Sequence, residues 1–216
     1  MSNSASTVTG AAKRDFAVDR AKAFTIAFST LDPSWRQKLP YLLMNSEFHC
    51  IAAYRLGQWA AELRSRNSLA GVPLTLLHRL VNRWLTHVDH AEISHHARIG
   101  AGFLLMHRHG VLIGPVVIGQ NCVVHQNVTI GQRVAAGDQG VPRIGDNVWI
   151  GPGAVITGAI KIGDGVTISA GSVLSRDVPD RCLVAGNPGR VVARDYDNSG
   201  MINFTVPNPE EEQGSQ

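Results

Sequence analysis

The sequence predicts a mainly β protein, a parallel β-helix preceded by an α-helical part, and three observations predict it. An aliphatic residue returns every six positions through the second half of the chain, glycine is concentrated there, and the first 89 residues show apolar stripes at helical spacing. Nineteen of the 22 glycines lie at or after Gly100, whereas three of the four tryptophans lie before residue 90. Eight of the nine histidines fall between His78 and His125. The expected division is a helical region over 1–89, a β-helix over 90–193 and a C-terminal tail over 194–216.

The helical part comes first. A weak helix is expected over 15–28, and the region around Pro33 and Pro40 should be irregular. Residues 46–66 carry Phe48, Ile51, Ala52, Leu56, Trp59, Ala60 and Leu63 as one stripe, with Ser46 as N-cap. Pro73 to His87 puts Leu74, Leu77, Val81, Trp84 and Leu85 on one face, with Pro73 in the first turn. These stripes read as core and subunit packing. Membrane contact is at most peripheral, through the basic, Trp-bearing 73–88 helix.

The repeat follows. Ile93, Ile99 and Leu105 are six apart; after a one-residue slip come Leu112, Ile118, Val124 and Ile130; after an excursion come Ile144, Ile150, Ile156, Ile162, Ile168 and Leu174. A six-residue period means a short strand and a tight corner, stacked so that the aliphatic residue fills the interior. Three repeats make one coil, so residues 93–178 supply about four coils or slightly more. The two breaks, at Met106–Gly110 and Gln132–Pro142, are where functional loops are expected.

Composition narrows the class. With 216 residues, 44% hydrophobic and 17% charged, the chain has the make-up of a folded domain. No apolar run approaches the roughly 18 residues of a membrane span. Met1 to Gly10 lacks a basic segment followed by an apolar one, so no secretory signal is expected. Cys50, Cys122 and Cys182 are scattered without CxxC spacing, which suits a reducing, cytoplasmic location. A net charge of +3 with dispersed basic residues gives nucleic-acid binding little support.

The runs IGAGFLLMHRHGVLIG, VTIGQ, VPRIGDNVWIGPGAVITGAIKIGDGVTISAGSVL and AGNPGRVV resemble the hexapeptide-repeat acyltransferases. More narrowly they resemble the serine acetyltransferase branch and its relatives that acetylate sugars of capsules and exopolysaccharides, over about His90 to Val192. The resemblance implies a left-handed β-helix, acetyl-CoA as donor, and homotrimers with active sites between subunits. In the serine branch it also implies trimers stacked into hexamers.

Acyl transfer from a thioester to an alcohol needs a base, an oxyanion donor and a channel for the pantetheine arm. The resemblance assigns the base to His107, in the first break. Fifteen residues earlier it places Glu92 where the family has an aspartate that orients the base. His109, His125 and Met106 are further candidates for lining the acceptor site. For CoA, Gly131, Pro152 and Ala170 match positions where small residues leave the coil edge open. Gly186, Pro188 and Arg190 match the closing motif, with Arg190 facing a CoA phosphate. The tail from Asp197 is expected to be mobile.

The acceptor is expected to be a sugar hydroxyl, with serine as the alternative. Met106 stands where the serine branch has an aspartate, Gly140 and Val141 where it has an Arg-His pair, and Pro115 where it has a glutamate. The first two changes remove charges suited to an amino acid. Two further readings compete: a γ-type carbonic anhydrase and a non-catalytic β-helix scaffold. The carbonic anhydrase needs two histidines on a later coil, and no histidine follows His125, so no metal is expected.

Overall fold

The computed structural model describes residues 11–66, 69, 71–133 and 140–206. Among the described residues four helices come first: α1 (Ala11–Phe28), α2 (Trp35–Met44), α3 (Ser46–Ser65) and α4 (Gly71–Asp89). Fifteen short strands follow, and a single turn, α5 (Ser199–Ile202), closes the described chain.

The strands wind a three-sided solenoid, the left-handed parallel β-helix expected. Its first face stacks β1 (Glu92–Ile93), β4 (Leu112–Ile113), β7 (Thr129–Gly131), β10 (Val155–Thr157) and β13 (Val173–Leu174). The second stacks β2 (Arg98–Ile99), β5 (Val117–Ile118), β8 (Arg143–Ile144) and β11 (Lys161–Ile162). The third stacks β3 (Leu104–Met106), β6 (Val123–His125), β9 (Trp149–Ile150), β12 (Thr167–Ile168) and β14 (Leu183–Ala185). There β15 (Arg190–Ala193) adds antiparallel to β14 and ends the ladder. Four coils are complete, and the fifth keeps only the Val178–Ile162 bridge on its second side.

Ile93, Ile99, Leu105, Ile118, Val124, Ile130, Ile144, Ile150, Ile156, Ile162, Ile168 and Leu174 all point inward and are buried. Each contributes roughly 1.5–3 kcal/mol of apolar burial. Leu112 is the exception: it is 47% exposed, and Ile113 fills the interior instead. The break is therefore two residues inserted before β4 and one removed after it, between Ile113 and Ile118, where Val116 N–H closes a tight turn on Gly114 O at 2.8 Å. Between the second and third faces an aspartate column ties the coils. Oδ1 of Asp146, Asp164 and Asp180 accepts from the backbone N–H of Gln120, Asp146 and Asp164 at 2.7, 2.7 and 3.0 Å.

The helices cap the first coils and cover part of the third face. Tyr54, Ile51, Ala53 and Leu85 join the solenoid core, while Phe48 and Ala23 pack on the outward-facing Leu104 and Val123. A buried polar network fixes the docking. Arg55 Nε donates to Asp19 Oδ2 at 2.8 Å, and its Nη atoms donate to Ile99 O and Gly100 O at 2.8 and 2.7 Å. Asp19 Oδ1 accepts from Phe103 N–H at 2.8 Å. Burial raises the Asp19 carboxyl pKa, with the charge and hydrogen bonds of Arg55 pulling the other way. Leaving either partner alone would strand a buried charge.

Four expectations for the flanking parts are corrected. Residues 35–44 are helical despite Pro40, because Ser34 and Gln37 form a capping box and Tyr41 is held in a ring cluster with Phe24, Phe28 and Phe48. The N-cap of α3 is Asn45, whose Oδ1 accepts from Phe48 N–H at 2.7 Å, and Ser46 is already helical. The inward face of α4 is built on His78 and Leu85, leaving Leu77 and Trp84 at 50% and 60% exposure. Its rotation follows from Gly57 of α3, where a Cβ would lie 2.6 Å from the His78 ring. Lastly, residues 197–206 are docked: Ile202 is buried, Asn198 Nδ2 donates to Asn147 O, and Phe204 O accepts from Asn121 Nδ2 at 2.6 Å. The rest of the tail, with Pro207, Pro209 and Glu210 to Glu212, lies outside the described residues.

Candidate active site

One corner of the solenoid, between the third and first faces, gathers most of the residues singled out above. It recurs in each coil with one hydrogen-bond pattern. His109 O accepts from Asn127 N–H, Gln126 O from Gly153 N–H, and Pro152 O from Gly171 N–H, at 2.8–2.9 Å. The left-handed position is taken by Gly110, Asn127, Gly153 and Gly171. Met106 pairs in register with His125, so in the second coil the corner follows the strand at once, whereas in the first coil His107 and Arg108 intervene. These two residues are the insertion.

His107 itself has φ of +59°, an uncommon backbone conformation for a residue with a Cβ. Such positions cluster where surrounding structure holds a functional side chain. His107 is exposed and borders a 220 Å³ cavity floored by Leu104, Leu105 and Met106 of β3. Walls come from Ala23, Ile26 and Ala27 of α1, Tyr41 of α2, and Asn45, Glu47, Phe48 and Ile51 at the start of α3. His125 is half-buried, its ring 4.7 Å from that of Trp149. Burial holds its pKa below the ordinary histidine value and the charge of His107 lowers it further, against the opposing pull of the Gln126 side chain. The structure thus brings His107, His125 and Met106 together. His109 is one step along, exposed, and contributes its backbone to the corner.

Glu92 opens the first face, in register with Leu112 just past the His109–Gly110 corner. Among the described residues no hydrogen bond or ion pair joins it to His107. Its side chain lines a separate 680 Å³ cleft with His95, Asn82, Arg79 and Arg83.

Above His107 the same corner continues as a straight edge. Pro152 and Ala170 stack on the His109–Gln126 column, and Gly186 follows, its carbonyl accepting from Val173 N–H at 3.0 Å. At about 4.8 Å per coil, the four steps from His109 to Gly186 span roughly 19 Å. Arg190 is exposed at the far end, beside a 230 Å³ cavity that Arg176 and Pro188 also line. Gly131 lies off this edge, at the opposite border of the first face where the 132–142 excursion departs. A Cβ there would meet nothing within 4 Å, so packing does not demand its glycine. Gly140 differs: with φ of +76° and a Cβ that would sit 2.7 Å from Ala159 Cβ, a larger residue there would be strained. Residues 134–139 of the excursion lie outside the described residues.

Sequence reasoning passed over three residues of the cavity region: Tyr41, Glu47 and Arg108. Arg108 Nη1 lies 3.7 Å from Glu47 Oε1, and the side chains are 16% and 26% exposed. Burial and the Glu47 charge raise the Tyr41 hydroxyl above its ordinary pKa. No local signal marks Glu47 beyond its place in a helix first turn, because its neighbours come from β3 and α1. Among the described residues no group of three His, Cys, Asp or Glu side chains has the makings of a metal site. None of the described helices is long and apolar enough to cross a membrane.

A stacked hexapeptide solenoid with a histidine-bearing insertion defines a class, and residues 142–176 match the family described as bacterial transferase hexapeptide (six repeats). The chain is 38% identical over 81% of its length to the serine acetyltransferase of Synechococcus elongatus, covering 68% of that protein. It therefore belongs to the serine-acetyltransferase-like family of hexapeptide-repeat acyltransferases. It spans 62–68% of the length of the first curated relatives it matches. Two solved relatives share the fold. The serine acetyltransferase of Brucella abortus in complex with coenzyme A has TM-score 0.68 and 26% identity, over 84% of this chain and 68% of that one. The serine acetyltransferase of Neisseria gonorrhoeae in complex with serine has TM-score 0.67 and 29% identity, over 87% of this chain and 72% of that one.

Proposed function

We propose that this protein transfers the acetyl group of acetyl-CoA to the hydroxyl of serine, with His107 as general base. The observation that carries the reading is the 220 Å³ cavity bordered by His107, a volume suited to a small acceptor. The relatives point the same way, since one was solved with coenzyme A and another with serine. In this mechanism neutral His107 takes the hydroxyl proton as the oxygen attacks the thioester carbonyl. The tetrahedral intermediate then collapses, the carbon–sulfur bond breaks, and the imidazolium returns the proton to the leaving thiolate. His125, half-buried in register with Met106 and shifted below the ordinary histidine pKa by burial, is the candidate to offer a ring N–H to the developing oxyanion. The corner edge through Pro152, Ala170 and Gly186 would carry the pantetheine arm toward Arg190. The bare coil edge at Gly131 fits the same arm on a neighbouring subunit of a trimer, in the cytoplasm.

A sugar hydroxyl is the second reading, favoured by the uncharged Met106, Gly140 and Val141. The test is acetyl-CoA turnover, read as free thiol, with serine and nucleotide- or lipid-linked sugars side by side. Serine is expected to exceed every sugar, and a sugar turned over as fast as serine overturns the reading. Light scattering tests the assembly: a species of one chain's mass at working concentration removes the trimer.

A further inference from the structure

We propose that the 680 Å³ cleft between α3, α4 and the first coil binds the phosphate group of a small phosphomonoester. Charge is the first observation. Arg64 in the last turn of α3 and Arg79 and Arg83 of α4 line the cleft, and Glu92 of β1 is its one carboxylate among the described residues. Among those residues no carboxylate forms an ion pair with any of the three arginines. Arg79 and Arg83 stand four apart on one helix, a spacing at which like charges repel. The cleft shares no lining residue with the cavity that His107 borders, so its occupancy does not depend on which acceptor reacts there.

The second observation is a histidine cluster in the same cleft. His78 is only 7% exposed, and its Nδ1 donates to Ala53 O at 3.0 Å. A carbonyl only accepts, so Nδ1 keeps its proton and Nε2 becomes a donor when the ring is charged. The His95 ring lies 5.6 Å from that of His78 and 4.0 Å from that of His96. Burial holds His78 and His95 below the ordinary histidine pKa; Arg79 depresses both, and His96 and His78 lower His95 further. Positive charge already in place thus resists more, and an anion relieves it. Three guanidiniums against one carboxylate leave two positive charges unmatched while the histidines are neutral, and a phosphate dianion supplies two negative ones. The planar fork of a guanidinium also matches phosphate oxygens in paired hydrogen bonds. Gly57, Ala60 and Ala61 make the α3 wall from small residues, which leaves room for the organic body of the ester.

The experiment titrates the whole protein with glycerol 3-phosphate, inorganic phosphate, acetate and glycerol at constant ionic strength, reading heat and the NMR signals of His95. Glycerol 3-phosphate should bind tightest, inorganic phosphate next, and acetate at least roughly tenfold more weakly than either, with no binding of glycerol. Saturation with glycerol 3-phosphate should move the His95 pKa up toward the ordinary histidine value, because a negative neighbour favours the charged ring. Arg79→Gln and Arg83→Gln change exposed side chains and should each weaken binding by roughly tenfold, the worth of one charge-assisted hydrogen bond. Glu92→Gln should tighten binding, and Arg190→Gln, at the far end of the solenoid, should leave it in place. Equal affinity of the wild type for acetate and glycerol 3-phosphate overturns the proposal even if the variants fail to fold, as does a His95 pKa unmoved at saturation. So does binding that is lost in Arg190→Gln and kept in Arg79→Gln, which places the phosphate at the other end of the molecule.

Discussion

The corner that carries His107 and the corners stacked above it are one structural unit built two ways. At Gln126–Asn127, Pro152–Gly153 and Ala170–Gly171 the chain turns in the fewest residues, passes one through the left-handed region and hands its carbonyl to the next coil. In the first coil it keeps that turn at His109–Gly110 but places His107 and Arg108 before it. The regular corners are what a solenoid needs to stack. The irregular one adds a second left-handed residue, His107, and does nothing for stacking that the others do not do without it. Stability and chemistry are thus separated by two residues of backbone.

Deleting His107 and Arg108 together breaks this comparison most completely. The first corner would then match the second, and acetyl transfer should fall to background while the thermal midpoint stays level or rises, as calorimetry would show. A drop in midpoint would mean the insertion is structural. His107→Ala comes next, with a loss on the order of 10²–10⁴ in single-turnover rate and an unchanged affinity for CoA. His109→Ala and His125→Ala should each cost less, measured the same way.

Gly153→Ala tests the opposite side of the comparison. Its Cβ has room, but φ of +71° should cost about 1–2 kcal/mol in chemical unfolding, with activity per folded molecule retained. The smallest effect is electrical. In His107→Ala the His125 pKa, followed by NMR titration, should move up toward the ordinary histidine value because a neighbouring positive charge is gone. The sign for stability follows. A folded pKa below the unfolded one near 6.5 gives a contribution present above that value and lost as pH falls through the folded pKa, and His125→Gln should flatten it.

The period of six made the solenoid legible, because only an inward aliphatic column at that spacing fills a three-sided interior. The nature of the first break was not legible. Leu112 and Ile113 are both aliphatic, so two residues inserted and one removed look like a single slip until burial separates them. His107 stood out because it lies in that break and matches the motif of the resemblance, and His125 lies near it because Met106 and His125 share a register. Glu47 was hidden for a different reason. Its relation to His107 depends on how α3 lies across the third face, and helical periodicity reports which side of a helix is apolar without naming what it packs on. The same gap explains α4, where two apolar faces compete and the close approach at Gly57 decides between them. Pro40 misled because a capping box and four aromatic rings outweigh one missing backbone donor.

The buried ammonium of Lys22 gives the molecule a clasp of long sequence reach. Its Nζ donates to Asn121 O and Oδ1 at 3.1 and 2.7 Å, and Asn121 in turn reaches Phe204, whose ring lies 5.9 Å from the same ammonium. A stack of coils can assemble from local contacts as it leaves the ribosome, each coil templated by the one before. This clasp cannot, because it joins the first helix, the second coil and nearly the last described residues. Removing Phe204 would open that ammonium to water without touching a single coil, so the clasp ties the helical layer that walls the His107 cavity to residues far along the chain.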